Sequence, residues 1–325
     1  MPSETFLRPS EGYLYKPNLK PLPSHSGLKV QIQTTSRCNG KCVICPYIES
    51  WHNHNPGRMS DEIFDRMLLQ LKNKQLSKIC LYLQNEPLLD PQFLERLKKI
   101  SSELQFGHIE ISTNASPLTP EYSKQLVRVL EGTRHELWVS FHGCDERTYS
   151  GMMGLNFHKT LTNILYLLQL SQSMPLRIAI RGAGKGISPN LNTPYDFSEH
   201  DFRVFWHTQF QAQDLKILPG LFYHPYNSRS GGILRNELKH CSIVRPDLKG
   251  FTCSRINNWL HFLYTGELAI CCMDYHREEI FGDIRKQPID DILQNQAYIN
   301  LKKKVEGDIY SAPTFICKRC TQPGD

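Results

Sequence analysis

Short apolar runs alternate with helix-like segments along the larger part of this chain. The runs are rich in Val, Ile and Leu, and the segments between them carry apolar residues at helical spacing. The predicted strands are residues 28–35, 78–83, 108–113, 136–141, 176–182 and 214–219. Strands that alternate with helices are joined by right-handed crossovers and form a parallel sheet. The pattern therefore predicts an α/β fold with the apolar strand and helix positions in its core.

Helix start signals support the same alternation. Ser60 precedes an acidic, helix-like segment, as an N-cap residue does, and the pairs Thr119-Pro120 and Asp90-Pro91 place a cap residue before proline. We therefore expect helices to begin at these three positions.

Three cysteines follow the first predicted strand. Cys38, Cys42 and Cys45 have the spacing CxxxCxxC, which curls a loop around one centre at the edge where parallel α/β proteins place their chemistry. A structural zinc site takes four protein ligands, and the next thiol, Cys80, lies in a predicted core strand. Three thiolates on a four-iron cluster leave one iron open for another ligand. The spacing favours a reactive iron-sulfur centre, with a zinc site or a plain iron-sulfur scaffold as alternatives.

The composition is that of a globular protein without a membrane span. Of the 325 residues 40% are hydrophobic, no apolar signal-peptide core is visible, and no window approaches the ~18 apolar residues of a span. We therefore expect a cytoplasmic protein with no membrane partner, in which eleven cysteines indicate metal or redox chemistry. The net charge of +6 includes one run of three basic residues, at 302–304, so no nucleic-acid partner is expected.

A second cysteine set lies near the C-terminal end. Its order is Cys253, twelve residues, Gly266, four residues, Cys271, a long gap, and then Cys317 and Cys320. The sequence around Gly266 predicts a β-hairpin, and the gap predicts a turn followed by a helix. Four thiolates from a hairpin and a CxxC pair can bind a complete four-iron cluster or a zinc ion.

Four further cysteines are left over: Cys80, Cys144, Cys241 and Cys272. Cys272 is adjacent to Cys271 on a predicted strand, so we expect its side chain on the opposite face. Most such cysteines behave as small apolar residues.

The first cysteine set resembles the signature of the radical S-adenosylmethionine (SAM) superfamily, with hydrophobic Ile44 before the third cysteine and aromatic Tyr47 after it. Three later landmarks resemble the family motifs and occur in the family's order. They are QNEP at 84–87 after the second strand, STNAS at 112–116 at the end of the third, and SFHG at 140–143 at the end of the fourth.

This resemblance implies a partial (β/α)6 barrel over residues 28–220, with a [4Fe-4S] cluster on the three cysteines and SAM as the second cofactor. In the superfamily, these cofactors generate a 5′-deoxyadenosyl radical that abstracts hydrogen from the substrate. Gln84 and Asn85 stand where the family usually has two glycines, so side chains occupy space that the usual pattern leaves to backbone. The SAM-binding residues that the resemblance implies are Tyr47, Asn85, Glu86, Asn114, Ser140 and Arg181.

The second cysteine set resembles the twitch subdomain, a shortened relative of the SPASM domain of radical SAM enzymes. The resemblance implies one auxiliary [4Fe-4S] cluster, because only five residues follow Cys320. The expected organisation is an N-terminal extension at 1–27, the barrel at 28–220, a connector at 221–252, and a small cysteine-rich α+β subdomain at 253–325.

A single auxiliary cluster resembles the aminocyclitol dehydrogenase of butirosin biosynthesis. This implies an oxidoreductase that abstracts hydrogen from a carbinol or similar C–H of a sugar or aminocyclitol, while the auxiliary cluster accepts the second electron. It also implies an external electron donor such as flavodoxin or ferredoxin. Arg229, in the glycine-rich stretch 226–232, is a candidate partner for a substrate hydroxyl.

Other functional classes stay open. An epimerase would need a cysteine as hydrogen donor, and Cys144, which follows the fourth strand, is the candidate for it. A ribosomal-peptide modifying enzyme would bind a peptide substrate, although only a short segment precedes the first strand here. The non-enzyme alternative is a zinc-stabilised binding module.

Overall fold

The computed structural model describes residues 26–174, 176–184, 194–226, 229–230, 232–233 and 245–320. Residues 1–25 of the predicted N-terminal extension and the leftover thiol of Cys241 lie outside the described residues. Within the described part of the chain, no helix is both long and apolar enough to cross a membrane.

One nine-stranded sheet organises the described residues, in the spatial order β6-β5-β4-β3-β2-β1-β7-β8-β9. Strands β1 to β6 are parallel to their neighbours, β7 lies parallel to β1, and the last two pairings are antiparallel. The strands are β1 Leu28–Ile32, β2 Leu76–Cys80, β3 Phe106–Thr113, β4 His135–Ser140, β5 Ile178–Gly184, β6 Gly220–Pro225, β7 Trp259–Phe262, β8 Glu267–Ala269 and β9 Ile280–Asp283. Six parallel strands in sequential order are what repeated βα crossovers produce, so the predicted partial (β/α)6 barrel is confirmed.

Helices occupy most of the connections. They are α1 Trp51–His54, α2 Asp61–Leu71, α3 Phe93–Glu103, α4 Pro120–Leu130, α5 Glu146–Met153, α6 Phe157–Leu170, α7 Glu199–Ala212, α8 Ser254–Asn258, α9 Ile289–Gln294 and α10 Gln296–Glu306. Short 3-10 turns include Pro46–Glu49, directly after the first cysteine set, and Ile316–Arg319 in the second.

Two of the three predicted helix starts are confirmed. The hydroxyls of Ser60 and Thr119 accept backbone hydrogen bonds in the first turns of α2 and α4. Helix α3 instead begins at Phe93, after the predicted Asp90-Pro91 start. The carboxyl of Asp90 accepts a hydrogen bond from the N–H of Gln92, which forms a separate turn before the helix.

The predicted position of the sixth strand, 214–219, is wrong, because the strand is Gly220–Pro225. The side-chain oxygen of Gln172 accepts hydrogen bonds from the N–H groups of Lys216 and Ile217 over 2.9 and 2.8 Å. These two N–H groups therefore bond to Gln172, which lies between α6 and β5. Pairing with β5 begins only at residue 220. The expected barrel boundary at 220 consequently falls at the start of this strand.

The two faces of the barrel strands have different environments. Ile109, Ile111 and Val139 are fully buried in the apolar core. The alternate positions, such as Glu110 and Arg181, carry polar side chains on the opposite face, which lines the barrel lumen. The lumen is therefore where charged and hydrogen-bonding groups are concentrated.

The C-terminal subdomain continues the barrel sheet and does not have a separate sheet. Strand β7 pairs with β1 from Lys29↔Trp259 to Ile32↔Phe262. The predicted hairpin is confirmed, and its turn contains Gly266 with a φ of 88°, a conformation that favours glycine. The stretch that follows contains the unpredicted strand β9 before the predicted turn and helix.

Candidate functional site

The first three cysteines lie on the loop 38–45, at the carboxyl end of β1. The N–H groups of Lys41 and Val43 donate to the carbonyls of Met153 and Met152 over 2.8 and 2.9 Å. These bonds hold the cysteine loop against the end of α5. These two bonds fix the backbone of the loop at Lys41 and Val43.

The thiols on this loop fit a metal cluster. A Cβ at Gly40 would lie 3.4 Å from the Sγ of Cys42 and 3.7 Å from the Sγ of Cys38, so the glycine leaves room that a side chain would fill. Burial raises the pKa of the Cys38 thiol, and the nearby Cys42 and Glu86 raise it further. A cationic iron cluster compensates such crowded thiolates. The donor set fits a [4Fe-4S] cluster with one iron left for SAM.

Tyr47 supports the cysteine loop from within the protein. Its hydroxyl accepts a hydrogen bond from the backbone N–H of Cys38 over 2.8 Å, and the side chain is buried. Burial also raises the pKa of Tyr47. The structure therefore gives this residue a loop-supporting contact, and its direct contact with SAM stays a prediction.

The carboxyl group of Glu86 joins the ends of two strands. It is buried and accepts hydrogen bonds from the N–H groups of Leu88 and Asn114 over 3.1 and 2.6 Å, and from the Thr113 hydroxyl over 2.7 Å. Burial raises the pKa of Glu86 to about 7. Both carboxyl oxygens have protein partners, so the carboxyl group of Glu86 holds the loop after β3 in place. The contact of Glu86 with SAM stays a prediction.

Asn114 connects the end of β3 to the cysteine loop. Its Nδ2 donates to the Oδ1 of Asn39 over 2.9 Å, and its Oδ1 accepts from the Ser116 hydroxyl over 2.7 Å. Asn39 in turn donates to the same hydroxyl over 2.8 Å. Asn39 follows Cys38 directly, so this closed network fixes a residue of the cluster loop, and Asn39 is a contributor that the sequence analysis missed.

Gln84 and Asn85, which replace the family's glycines, have separate roles. The Nε2 of Gln84 donates to the carbonyls of Cys272 and Asp274 over 3.1 and 3.4 Å, so this side chain docks the C-terminal domain onto the barrel. The Oδ1 of Asn85 accepts from the N–H of Leu83 over 2.8 Å. Its Nδ2 is buried and has no hydrogen-bond partner within the described ranges, so it can donate to an acceptor on a bound cofactor.

Ser140, the last residue of β4, lies beside Arg181, its register partner in the middle of β5. The guanidinium carbon of Arg181 lies 4.4 Å from the ring centroid of Trp138, and burial lowers the pKa of this arginine. The strand pairing thus brings the two predicted residues together at the lumen edge. Their contact with SAM stays a prediction.

The second set of thiols converges on one cavity. Cys253, Cys271, Cys317 and Cys320 all line it. Burial raises the pKa of Cys317, and the charges of Cys253 and Cys320 raise it further. Four converging thiols form a closed ligand set, which fits a cluster bound entirely by protein.

Cys272 has different surroundings from its neighbour Cys271. Cys271 lines the auxiliary cavity, whereas the Cys272 side chain packs against the apolar cluster of Leu83, Leu263 and Ala269. Strand β8 ends at Ala269, before both thiols, so their placement on opposite faces of a strand stays a prediction. Interaction with the adjacent Cys271 and the charge of Arg255, whose Nη1 lies 3.1 Å from the Cys272 sulfur, lower the pKa of Cys272 to about 6.

The segment 271–275 connects the two thiol sets. Cys271 lines the auxiliary cavity, and the hydroxyl of Tyr275 lies 3.7 Å from the Sγ of Cys45 in the first set. Burial raises the pKa of Tyr275, and the charge of Cys45 raises it further. Tyr275 was not predicted from the sequence, where its signal is its position four residues after Cys271.

The two predicted catalytic residues lie in different surroundings. The charge of Arg229 acts on Cys272, Tyr275 and His142, so this arginine lies near the segment 271–275 and the loop after β4. The Sγ of Cys144 instead lies 3.8 Å from a hydroxyl in the first turn of α5, that of Thr148. The catalytic roles of Arg229 and Cys144 stay predictions.

One further group in the lumen has the residue types of a metal site. His108, Glu110 and Glu136 have ligand atoms within 4.8 Å of one another. However, Lys78 forms a short ion pair with Glu110, and Arg177 pairs with Glu136 over 2.9 Å. Both carboxylates are therefore already neutralised by cations, and the group is a partly buried ion network.

Comparisons with known proteins agree with this geometry. The chain matches the radical SAM superfamily over residues 32–173 and an iron-sulfur cluster-binding domain, SPASM, over residues 253–321. A comparison with curated protein sequences gives no match.

Three solved structures illustrate the shared fold. BtrN in complex with AdoMet and 2-DOIA is 16% identical, with 92% of this chain and 95% of that chain covered and a TM-score of 0.56. Native anSMEcpe with bound AdoMet is 15% identical, with 84% and 82% covered and a TM-score of 0.55. Streptococcus suis SuiB bound to precursor peptide SuiA is 12% identical, with 85% and 66% covered and a TM-score of 0.61.

The matched regions contain both sets of thiols that the structure assembles. The first region carries Cys38, Cys42 and Cys45 on the barrel, and the second carries the four thiols of the closed ligand set. These domains imply a SAM-binding [4Fe-4S] cluster and an auxiliary iron-sulfur cluster. The chain is therefore a member of the radical SAM superfamily with a C-terminal SPASM-type iron-sulfur domain.

Proposed function

We propose that this radical SAM enzyme is a dehydrogenase that oxidises a carbinol or similar C–H of a small polar substrate, such as a sugar or aminocyclitol. The observation that carries the proposal is the closed set of four thiols around the auxiliary cavity. A cluster with four protein thiolates has no open iron for SAM or substrate, so electron exchange is its most direct use. The cofactors, when bound, supply hydrogen abstraction at the first site and acceptance of the second electron at the auxiliary site.

The chain itself offers groups for substrate orientation on β4 to β6 and the loops that follow them. Ser140 at the end of β4 is the register partner of Arg181 within β5, and the charges of Arg181, Arg229 and His224 act on the His142 imidazole. In this proposal, Arg229 binds a substrate hydroxyl. The proposal thus adds a second residue, His142, to Arg229, the candidate partner for a substrate hydroxyl that was named from the sequence.

His142 is suited to accept a hydrogen bond from the hydroxyl of a carbinol substrate. Its ring is buried, and its Nδ1 has no hydrogen-bond partner in the described part of the chain. Burial, Arg181 and Arg229 lower its pKa to about 3, so the imidazole is neutral at pH 7. A neutral imidazole nitrogen can accept a hydrogen bond from the substrate hydroxyl, although so low a pKa makes it a weak base, and the nearby arginines favour negative charge on the same oxygen.

The similarity to BtrN supports this choice among the enzyme classes. It extends over nearly the whole of both chains, and that solved structure is a complex with 2-DOIA. SuiB, whose structure contains a precursor peptide, is covered over a smaller share of its length. An external one-electron donor, such as flavodoxin or ferredoxin, is part of the proposal.

Product analysis tests the proposed dehydrogenase. Reconstituted enzyme is incubated with SAM, a reductant and a panel of sugars, aminocyclitols and peptides, in H2O and in D2O. The expected product is lighter than its substrate by two hydrogen atoms and carries no solvent deuterium at the reacting carbon. A product of unchanged mass in H2O that gains deuterium in D2O would reject the dehydrogenase.

An epimerase is the second candidate, because the structure brings an additional thiol into the region between the clusters. The charges of Arg229 and Arg255 act on Cys272, and its carbonyl is held by Gln84. A hydrogen donor in this position would make Cys272, and not Cys144, the residue on which epimerisation depends. The deuterium experiment separates the two functions directly.

A further inference from the structure

The C-terminal iron-sulfur domain reaches the SAM-cluster loop through one buried side chain. The hydroxyl oxygen of Tyr275 lies 3.7 Å from the Sγ of Cys45, although the two residues are 230 positions apart in the chain. The tyrosine is only 9% exposed. Water therefore competes little for its hydroxyl, and the contact depends on how the C-terminal domain packs against the barrel.

Hydrogen bonds from the barrel and from within the C-terminal domain hold the backbone on which Tyr275 lies. Gln84 donates from the barrel to the carbonyls of Cys272 and Asp274 over 3.1 and 3.4 Å. The Asp274 carboxylate accepts hydrogen bonds from the N–H groups of Glu278 and Glu279 over 2.8 and 3.0 Å. The same segment begins at Cys271, whose thiol lines the auxiliary cavity. The position of the Tyr275 hydroxyl therefore depends on the barrel and on the C-terminal domain together.

The direction of the hydrogen bond follows from the state of the sulfur. When Cys45 is a free thiol, its S–H donates to the phenol oxygen. A thiolate that ligates iron has no hydrogen, so the phenol O–H of Tyr275 becomes the donor. Reduction adds negative charge to an iron-sulfur cluster and its sulfur ligands. A donor to a ligand sulfur therefore stabilises the reduced form more than the oxidised form.

We propose that Tyr275 is a positioning residue that raises the reduction potential of the SAM-binding cluster by donating a hydrogen bond to the thiolate of Cys45. The C-terminal domain thereby controls how readily the barrel cluster accepts an electron. This inference rests on membership of the superfamily and not on the identity of the substrate. It stands or falls separately from the proposed dehydrogenase.

Potentiometry on the reconstituted enzyme tests the proposal. The midpoint potential is followed by the electron paramagnetic resonance signal that SAM addition perturbs, because only the cluster with an open iron binds SAM. Tyr275→Phe keeps the ring and removes the hydroxyl. We expect this variant to lower the equilibrium constant for reduction of the cluster about tenfold. For a one-electron couple, this corresponds to a shift of the midpoint potential by about 59 mV to more negative values.

A matched control comes from the same domain. Tyr298 is also 9% exposed, and its hydroxyl donates to the carbonyl of Ile256 over 2.7 Å, within the C-terminal domain. Tyr298→Phe should leave the midpoint unchanged. An unchanged midpoint in Tyr275→Phe at full iron content, or an equal shift in both variants, overturns the proposal.

A second variant tests whether the segment positions the hydroxyl. Gln84→Ala removes the two bonds to the carbonyls of Cys272 and Asp274, and we expect a smaller negative shift. The double variant with Tyr275→Phe should show no greater shift than Tyr275→Phe alone, because both changes act through one hydroxyl. Additive shifts overturn the proposal. If Tyr275→Phe fails to hold its cluster, a wild-type midpoint in Gln84→Ala overturns it as well.

Discussion

The Nη1 of Arg255 lies 3.1 Å from the Sγ of Cys272, the thiol next in sequence to Cys271, which lines the auxiliary cavity. The guanidinium also lies 5.7 Å from the ring centroid of Trp259 on β7, so the arginine is held at the edge of the barrel lumen. Because of this contact, the Cys272 thiol has a charged partner and is more than a small apolar residue in the packing. It makes Cys272 the residue whose replacement distinguishes dehydrogenation from epimerisation.

The first prediction compares Cys272→Ala with Cys144→Ala. In the proposed dehydrogenase neither thiol returns hydrogen, so both variants should retain turnover and form a product lighter by two hydrogen atoms. Mass spectrometry of the product and the rate of 5′-deoxyadenosine release check this. If Cys272→Ala cleaves SAM but forms no product, while Cys144→Ala is active, the epimerase takes the place of the dehydrogenase.

The second prediction concerns metal content. Wild-type protein reconstituted without oxygen should bind about eight irons, four in each cluster. Cys317→Ala opens the closed thiol set and should bind about four, while still cleaving SAM at the first site. Iron and sulfide analysis checks this. Cys80→Ala is the matched control, since this buried thiol is absent from both ligand sets, and it should bind as much iron as wild type. A wild type that binds zinc in place of the second cluster would contradict the assignment.

The third prediction concerns the buried carboxyl group of Glu86. In Glu86→Gln an amide NH2 replaces one acceptor oxygen and faces backbone N–H or hydroxyl donors, so the loop around Asn114 loses a hydrogen bond. We expect the variant to lose about 1–3 kcal/mol of unfolding free energy and to bind SAM about tenfold more weakly. Chemical denaturation and calorimetric SAM titration measure the two effects. Glu95→Gln, at an exposed position of α3, is the control, and equal SAM affinity in both variants would refute the role of Glu86.

The fourth prediction concerns acid stability. His261 is fully buried, and burial and the charge of Arg255 lower its pKa to about 3, compared with about 6.5 in an unfolded chain. The unfolded state therefore binds a proton between these values that the folded state does not bind. The stability contributed by the neutral ring is complete above pH 6.5 and is lost as pH falls, by about 1.4 kcal/mol per pH unit in the steepest range.

Replacing this group should reduce the dependence on pH. The loss of unfolding free energy between pH 6.5 and 5.5 should be smaller in His261→Gln than in wild type by about 1 kcal/mol. Anaerobic urea denaturation at the two pH values measures it. His158→Gln, which changes an exposed side chain, should behave as wild type, and the same pH dependence in all three proteins would count against the prediction.

Local features of the sequence determined much of this protein. The CxxxCxxC spacing identified the first thiol set, because ligands to one centre must lie within a short loop. Alternating strand and helix periods predicted the parallel barrel, since each period reflects which residues of one segment face the core. Gly266 marked the hairpin turn because its positive φ favours glycine. These features depend on short stretches of chain and can be read without the tertiary structure.

The tertiary structure decided the contacts between distant segments. The bond from Gln84 to the carbonyl of Cys272 and the contact of Tyr275 with Cys45 depend on the packing of the C-terminal hairpin beside β1, and no local spacing encodes that packing. The surroundings of Cys272 also required the tertiary structure. A strand period predicts a side-chain direction only while the strand continues, and β8 ends at Ala269, before both thiols. Only the packing of distant segments places Cys272 against the cluster that contains Leu83 and Leu263, apart from the cavity that Cys271 lines.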